Sequence, residues 1–307
     1  MHREDAPLKG IRILEVFGQY PGPYCAMLMG DLGAEVIKVE LPKTGDPVRQ
    51  FPGFFLSINR NKKSLTLDLR TNTGRKIFYK LAEKSDVILE GFRPGVAKRL
   101  GIDYEAIKVV NARIVYCSIS GFGQDGPYAK LAGHDLNYVG MSGMLGVTGT
   151  PFKPTIQIAD LASGLFALVS ALSALILREK TGEGQYIDLS MLDVLMSLMS
   201  THVGTYFAQK DKPYKGGHLD FNPAYEIYEA EDGKYITLGI AHEDEFWRSL
   251  CKVLGMDDIA DLTNVERIEN REAVYSRLRQ AFSTKIRHEW VGLLRNADVP
   301  CGPVYTV

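Results

Sequence analysis

Ile11-Arg-Ile-Leu-Glu-Val-Phe-Gly-Gln-Tyr-Pro-Gly-Pro-Tyr-Cys-Ala-Met-Leu-Met-Gly-Asp-Leu-Gly-Ala-Glu-Val-Ile-Lys-Val-Glu40 is the stretch that decides the fold. Ile11 to Val16 and Ala34 to Glu40 are short apolar runs that read as strands. Between them, a Gly/Pro loop opens a helix from about Tyr24 to Leu32, and Gly33 stops it. A strand–helix–strand unit of this kind predicts a parallel sheet. Outward from it, Ser64 to Leu69 alternates as a short strand, and Thr73 to Lys84 carries Ile77, Phe78 and Leu81 at helical spacing. Asp86 to Glu90 and Ile114 to Ile119 read as buried strands. Residues 1–209 are therefore expected to form an α/β large domain, a Rossmann-like open sheet with crossover helices. Residues 210–223 are polar and glycine-containing and read as a linker. Residues 224–307 read as a smaller α+β domain, in which Tyr225 to Ala230 and Lys234 to Ile240 flank a Glu-Asp-Gly turn as a hairpin.

The chain has 307 residues, enough for one large and one smaller domain. A formal net charge of -1 supplies no single-sign field, which argues against a nucleic-acid partner. The cysteines, Cys25, Cys117, Cys251 and Cys301, form no C-x-x-C pair. That argues against a zinc site or a disulfide framework and suits a reducing, cytoplasmic setting, with no metal expected. The segment Met1-His-Arg-Glu-Asp-Ala-Pro7 lacks the apolar core of a signal peptide. Leu161 to Leu177 is the longest apolar run, interrupted by Ser163, Gly164, Ser170 and Ser173 and bounded by Asp160 and Arg178. It reads as a buried helix, so no membrane partner is expected. The ending Pro300-Cys-Gly-Pro-Val-Tyr-Thr-Val307 reads as the start of a strand or loop, and a truncation, or disorder beyond this point, is expected.

Two side chains stand out because each lies at the mouth of an element. His134, in Gly133-His-Asp-Leu-Asn-Tyr138, sits where a loop enters a helix, and an imidazole there can accept a proton. Asp160 immediately precedes the long apolar helix, where free N–H groups are a ready site for an oxygen that is becoming negative. Each has a plainer explanation. Asp135 and Asp160 would serve as helix N-caps, His134 would be an incidental surface residue, and Glu243 an acidic residue in a helix's first turn. Gly121-Phe-Gly-Gln-Asp-Gly126 matches G-x-G-x-x-G, but no acidic residue follows at the distance a dinucleotide site needs, so its glycines are assigned to tight turns. Cations cluster in Asn59-Arg-Asn-Lys-Lys-Ser64, Leu67-Asp-Leu-Arg70 and Gly91-Phe-Arg-Pro-Gly-Val-Ala-Lys-Arg99. The default for such clusters is a solvated surface; the sharper reading is phosphate recognition at strand ends.

Taken together, several motifs resemble the family that unites family III CoA-transferases and α-methylacyl-CoA racemases. They are Leu8-Lys-Gly-Ile-Arg-Ile-Leu-Glu-Val16, Gly22-Pro-Tyr-Cys-Ala-Met-Leu-Met-Gly30 with its continuation to Glu40, Asn59-Arg-Asn-Lys-Lys-Ser-Leu65, Gly91-Phe-Arg-Pro-Gly-Val96, Gly121-Phe-Gly-Gln-Asp-Gly-Pro127 and Lys180-Thr-Gly-Glu-Gly-Gln185. The resemblance covers essentially the whole chain. It implies an acyl-CoA substrate, no cofactor beyond coenzyme A itself, and an interlocked homodimer with the active site between the large domain of one subunit and the small domain of the other.

For coenzyme A, the resemblance points to Arg60, Lys63, Leu67, Asp68, Leu69, Arg70, Gly91, Phe92, Arg93 and Arg99, with Gly133, Asp135, Asn137 and Tyr138 from the later motif. The racemase branch carries Gly-His-Asp-x-Asn-Tyr, so His134 and Asp160 would be the two bases, with Glu243 supporting the histidine. The expected activity is epimerisation of 2-methylacyl-CoA thioesters by 1,1-proton transfer. The alternative is CoA transfer with Asp160 as nucleophile. Ala159-Asp-Leu-Ala-Ser-Gly164 and Val299-Pro-Cys-Gly-Pro-Val304 are nearer to transferases, and Leu41 stands where racemases place an arginine, for which Lys43 could substitute. The glycine-rich loop that transferases often carry before the small-domain hairpin is not found; Lys215-Gly-Gly-His218 is the nearest thing to it.

Overall fold

The strand–helix–strand opening is present as β1 (Arg12–Val16), α1 (Pro21–Asp31) and β2 (Glu35–Glu40). The computed structural model describes residues 5–16, 18–147, 153–209 and 221–307. Most of the expected linker, and with it Lys215-Gly-Gly-His218, lies outside the described residues. The chain divides into two units, Met1–Ser200 and Thr201–Val307.

In the first unit, α2 (Pro52–Asn59) leads to β3 (Lys62–Thr66), followed by α3 (Asn72–Ala82), β4 (Val87–Glu90), α4 (Val96–Leu100), α5 (Tyr104–Val110) and β5 (Val115–Ser120). Then come α6 (Asp135–Met141), α7 (Ile158–Thr181), β6 (Gln185–Ser190) and α8 (Met191–Leu198). The sheet has six strands in the order β3-β2-β1-β4-β5-β6, all parallel. The chain thus runs outward from β1 in one direction, then returns to continue from β4 in the other. The crevice between the carboxyl ends of β1 and β4 is where an open sheet of this kind places a ligand.

In the first unit, up to β5, two element starts differ from the sequence expectation by more than one residue. Helix α1 begins at Pro21 rather than near Tyr24, because a proline in the first turn forfeits no helical hydrogen bond. Strand β3 begins at Lys62 rather than Ser64, pairing with β2 from Val36↔Lys62 to Glu40↔Thr66. A strand can start on that lysine because its charge is neutralised inside the fold. Lys62 Nζ lies 2.7 Å from Glu15 Oε2, Lys38 Nζ 2.5 Å from Glu15 Oε1, and Lys38 Nζ 2.8 Å from Asp46 Oδ2. All four side chains are buried, so two carboxylates and two ammoniums compensate one another where none would be tolerated alone. Asp46 Oδ1 also accepts the N–H groups of Val48 (3.0 Å) and Gln19 (3.2 Å), so the cluster ties the loops after β1 and β2 together.

Helix α7 is long and apolar enough, by length and composition, to cross a bilayer. In the fold its small-residue face, with Ser163, Gly164, Ala167, Ala171 and Ala174 buried, packs on α1, β5 and β6. Near its end the buried Arg178 pairs with Asp86 at 2.9 Å. Gly164 permits the closest approach: a Cβ there would meet Pro21 O and Tyr24 Cδ1, both at 2.9 Å.

The second unit carries β7 (Ile227–Glu229), β8 (Tyr235–Leu238) and β9 (Cys301–Pro303), preceded by α9 (Ser200–Gln209). Helices α10 (Asp244–Leu254), α11 (Asn264–Glu269), α12 (Arg271–Phe282) and α13 (Arg287–Asn296) lie between β8 and β9. The sheet is antiparallel in the order β7-β8-β9, so the last strand completes it beside the hairpin. Trp247, Leu250, Phe282, Trp290 and Tyr228 form its core.

Gly164→Val is expected to lower the stability of the first unit by about 1–3 kcal/mol, because the added methyls overpack the α1–α7 contact. Thermal unfolding should show a midpoint lower by roughly 3–10 °C; an unchanged midpoint would mean that the contact is not tight.

Candidate active site

Three strand ends and two helix starts meet in one cleft. Beyond β1 come Gly18, Gln19 and Tyr20; beyond β4, Gly91, Phe92, Arg93 and Pro94; and at the end of β5, Ser120, Gly121 and Phe122. Helix α6 adds His134, Asn137 and Tyr138, and α7 adds Asp160. The cleft has a volume of about 620 Å³. A second, more apolar cleft of about 380 Å³ is lined by Val16, Val39, Leu67, Asp68, Leu69 and Arg70, among others. Gly18, Pro47 and Phe92 line both.

The start of α6 is fixed locally. His134 is its N-cap residue, and Asn137 Oδ1 accepts the His134 N–H at 3.0 Å. The Tyr138 hydroxyl donates to the Gly133 carbonyl at 2.6 Å, and its ring stands edge-on to Phe122 with centroids 5.2 Å apart. That ring leaves no room at two neighbouring positions: a Cβ on Gly121 would come within 2.4 Å of the Tyr138 hydroxyl, and one on Gly133 within 2.7 Å of the ring. Both glycines are therefore required by close approach.

The start of α7 is fixed from a distance. Asp135 Oδ1 accepts the N–H of Ala159 at 2.7 Å and that of Asp160 at 3.1 Å. This corrects two expectations. Neither aspartate is the N-cap of its own helix: Asp135 follows the N-cap of α6, and Asp160 lies inside the first turn of α7, after Gln157. The N–H groups of Ala159 and Asp160 are also not open to a substrate oxygen, because Asp135 occupies them. Burial, and then the Asp135 carboxylate, push the Asp160 carboxyl up to about 7. Burial first and Asp160 second push up the Tyr20 and Tyr138 hydroxyls, and both residues line the cleft with this carboxylate.

Of the residues singled out from sequence, His134, Asp160, Gly133, Asn137, Tyr138, Gly91, Phe92 and Arg93 line the larger cleft. Leu67, Asp68, Leu69 and Arg70 line the smaller, where Arg70 is held by Asp68 at 2.8 Å. Asp135 acts behind the cleft, as the cap of α7. Arg99, exposed in the last turn of α4, is among the lining residues of neither cleft.

Arg60 and Lys63 sit at the amino end of β3, at the sheet edge away from both clefts, and are engaged by Asp31 and Glu35. Glu243 belongs to the second unit, where it is the N-cap residue of α10 and its Oε2 accepts the N–H groups of Ala241 and His242, each at 3.0 Å. The sequence reading passed over Gln19, Tyr20, Pro47 and Ser120 as cleft residues. For Gln19, Tyr20 and Ser120 a signal was present, since they end or follow strands of a parallel sheet. Among the described residues no group of three or more His, Cys, Asp and Glu side chains could hold a metal ion.

The family model for CoA-transferase family III matches residues 8–307. The succinyl-CoA:glutarate CoA-transferase of Homo sapiens is 35% identical over 316 residues, covering 97% of this chain and 72% of the relative. The alpha-methylacyl-CoA racemase of Homo sapiens is 34% identical over 306 residues, covering 97% of this chain and 78% of the relative. The crystal structure of a CAIB/BAIF family protein from Brucella suis superposes with a TM-score of 0.87 at 34% identity, covering 98% of this chain and 84% of that one.

Asp135→Asn keeps an oxygen to cap α7 but removes the charge facing Asp160. The Asp160 titration midpoint is expected to fall below about 7 while staying above the ordinary aspartate value, because burial is the larger cause of its rise. Carboxyl-carbon NMR titration of both proteins checks this; an unmoved midpoint would mean that Asp135 does not act on Asp160 through its charge.

Proposed function

This chain belongs to CoA-transferase family III and acts on acyl-CoA, and from that premise we propose that it transfers coenzyme A between carboxylic acids with Asp160 as the nucleophile. The observation that carries this reading is Asp160 itself. It is a partly buried carboxyl lining the cleft, pushed up to about 7, whose acidic neighbour Asp135 is committed to a cap. Desolvation makes the ionised carboxylate a stronger nucleophile than one in water. The epimerase reading was first on the strength of Gly133-His-Asp-Leu-Asn-Tyr138, but the relatives give that branch no preference, with a transferase and a racemase at nearly equal identity.

In the proposed sequence, the Asp160 carboxylate attacks the thioester carbonyl and expels CoA thiolate, leaving an acyl–aspartyl anhydride. The thiolate then attacks the aspartyl carbonyl of that anhydride. This releases the donor acid as its carboxylate and forms an aspartyl-CoA thioester. The acceptor carboxylate attacks that thioester and expels the thiolate again, forming a second anhydride. The thiolate then attacks its acyl carbonyl, which yields the new acyl-CoA and restores Asp160. Each step exchanges one acyl bond for another and needs no redox partner. The smaller cleft, with Val39, Leu67, Leu69 and Phe92, would seat the apolar faces of the adenosine, and Arg93 would face the charged or thioester portion. A homodimer also belongs to this reading: Leu165, Val169 and Ile176 leave an apolar row on α7 exposed in the single chain.

One observation keeps the second reading in play. His134 lines the same cleft as Asp160, the arrangement needed for two bases to act on the Cα of a 2-methylacyl-CoA. The two readings differ in pH dependence. Nucleophilic attack needs ionised Asp160, so kcat/KM should rise with pH and level off above about 7. Return of a proton from Asp160 needs the protonated acid, so epimerisation in that direction should fall over the same range.

Succinyl-CoA with glutarate, the pair in the human transferase's name, is a suitable first assay. Asp160→Ala is expected to lower the transfer rate by about 10³-fold or more, and His134→Ala by less than about tenfold. Deuterium entering Cα of a 2-methylacyl-CoA without any acceptor acid, and lost in both variants, would instead move the assignment to the epimerase.

A further inference from the structure

Glu90 is the last residue of β4, 3% exposed, and is not among the residues lining the clefts of the site. Its Oε2 accepts the Phe92 N–H at 2.7 Å, and its Oε1 accepts the Ser118 hydroxyl. Ser118 stands opposite it on β5, fully buried. The Ser118 oxygen in turn accepts Gln124 Nε2 at 2.8 Å, and the Gln124 N–H donates to Asp188 Oδ2 on β6 at 2.9 Å. In this arrangement Glu90 accepts twice, Ser118 donates to it and accepts from Gln124, and Gln124 donates from both its side chain and its backbone; the Tyr186 side chain also bonds Ser118. Burial, with the Asp188 charge adding to it, holds the Glu90 carboxyl above the usual carboxylate range, and the bonds from Ser118 and Phe92 offset only part of that rise.

This buried chain joins two loops, each following one of a pair of adjacent strands, that both line the larger cleft. One, following β4, carries Gly91, Phe92 and Arg93; the other, following β5, runs from Gly121 towards His134. We propose that Glu90 is a positioning residue that couples these two loops, holding the walls of the acyl-CoA cleft at a fixed separation through Phe92 on one side and Ser118–Gln124 on the other. The inference rests on the acyl-CoA reading for its catalytic consequence but not for the coupling itself. A carboxylate is suited to the task because it can accept from a backbone N–H and a hydroxyl at once, and a buried hydrogen bond to a charged group is among the stronger ones.

The test compares Glu90→Ala, Glu90→Gln and the unaltered protein by steady-state kinetics and by amide hydrogen exchange. Glu90→Ala should raise KM for the acyl-CoA about tenfold, as expected from losing a hydrogen bond to a charged group, while kcat changes less than about threefold. It should also speed exchange in both segments 91–95 and 121–126. Glu90→Gln, which can still accept from Phe92, should recover most of the KM. Gln124→Leu, cut at the far and less buried end, should speed exchange in segment 91–95 and provides the test should Glu90→Ala fail to fold. A KM unchanged in folded Glu90→Ala, or exchange disturbed only in the loop next to the substitution, would overturn the proposal. Should the unaltered protein turn over no acyl-CoA, the functional reading fails, and the exchange data still decide the coupling.

Discussion

The site depends on one carboxylate that is not at its centre. Asp135, in the first turn of α6, accepts the N–H groups of Ala159 and Asp160 and so caps a helix that begins far along the chain. A cap of this kind stabilises a helix start by about 1 kcal/mol. Its structural consequence is larger than that figure suggests. It fixes where α7 begins relative to α6, and therefore where Asp160 stands relative to His134 and Tyr138. It places a negative charge beside Asp160, adding to the effect of burial. It also consumes N–H groups that a bare helix start would offer to a substrate oxygen.

The other half of the cleft is held by charge compensation under the sheet. Glu15, Lys38, Lys62 and Asp46 lie almost wholly out of water, and a single unpaired member would be intolerable there. Because the carboxylate of Asp46 also holds the Gln19 N–H, the cluster sets the loop after β1. Gln19 takes a positive φ of 70°, a conformation unusual for a residue with a side chain, next to Tyr20 and Asp160 in the cleft. The close α1–α7 contact at Gly164 then brings this loop and the first turn of α7 together. The cleft is thus a junction of three rigid parts rather than a feature of one loop.

Much of the architecture was legible in the sequence. Buried parallel strands leave runs rich in Val, Ile and Leu, and Ile11 to Val16, Ala34 to Glu40 and Ile114 to Ile119 were readable for that reason, with Glu15 and Lys38 among their apolar residues. β3 was misplaced because its first residue, Lys62, looks like part of a polar loop until Glu15 is known to lie beneath it. Arg60 and Lys63, grouped in the sequence reading with the ligand-facing residues, stand at the amino end of a strand that begins at Lys62. His134 and Asp160 stood out as a pair, each at the mouth of an element, and the fold places both in the lining of one cleft. The role of Asp135 was invisible, since the N–H groups it accepts belong to a helix elsewhere in the chain, and no local pattern encodes that pairing.

Family membership establishes chemistry on acyl-CoA and leaves open whether carbon or the thioester is attacked. On the proposed reading the thioester is attacked, by an Asp160 whose acidic neighbour is engaged as a helix cap. The most direct measurement is mass spectrometry of the peptide containing Asp160 after incubation with an acyl-CoA and hydroxylamine. A hydroxamate at Asp160, formed only when acyl-CoA is present, is the predicted result. Full turnover of the acyl-CoA to a transfer product with Asp160 unmodified would contradict the account.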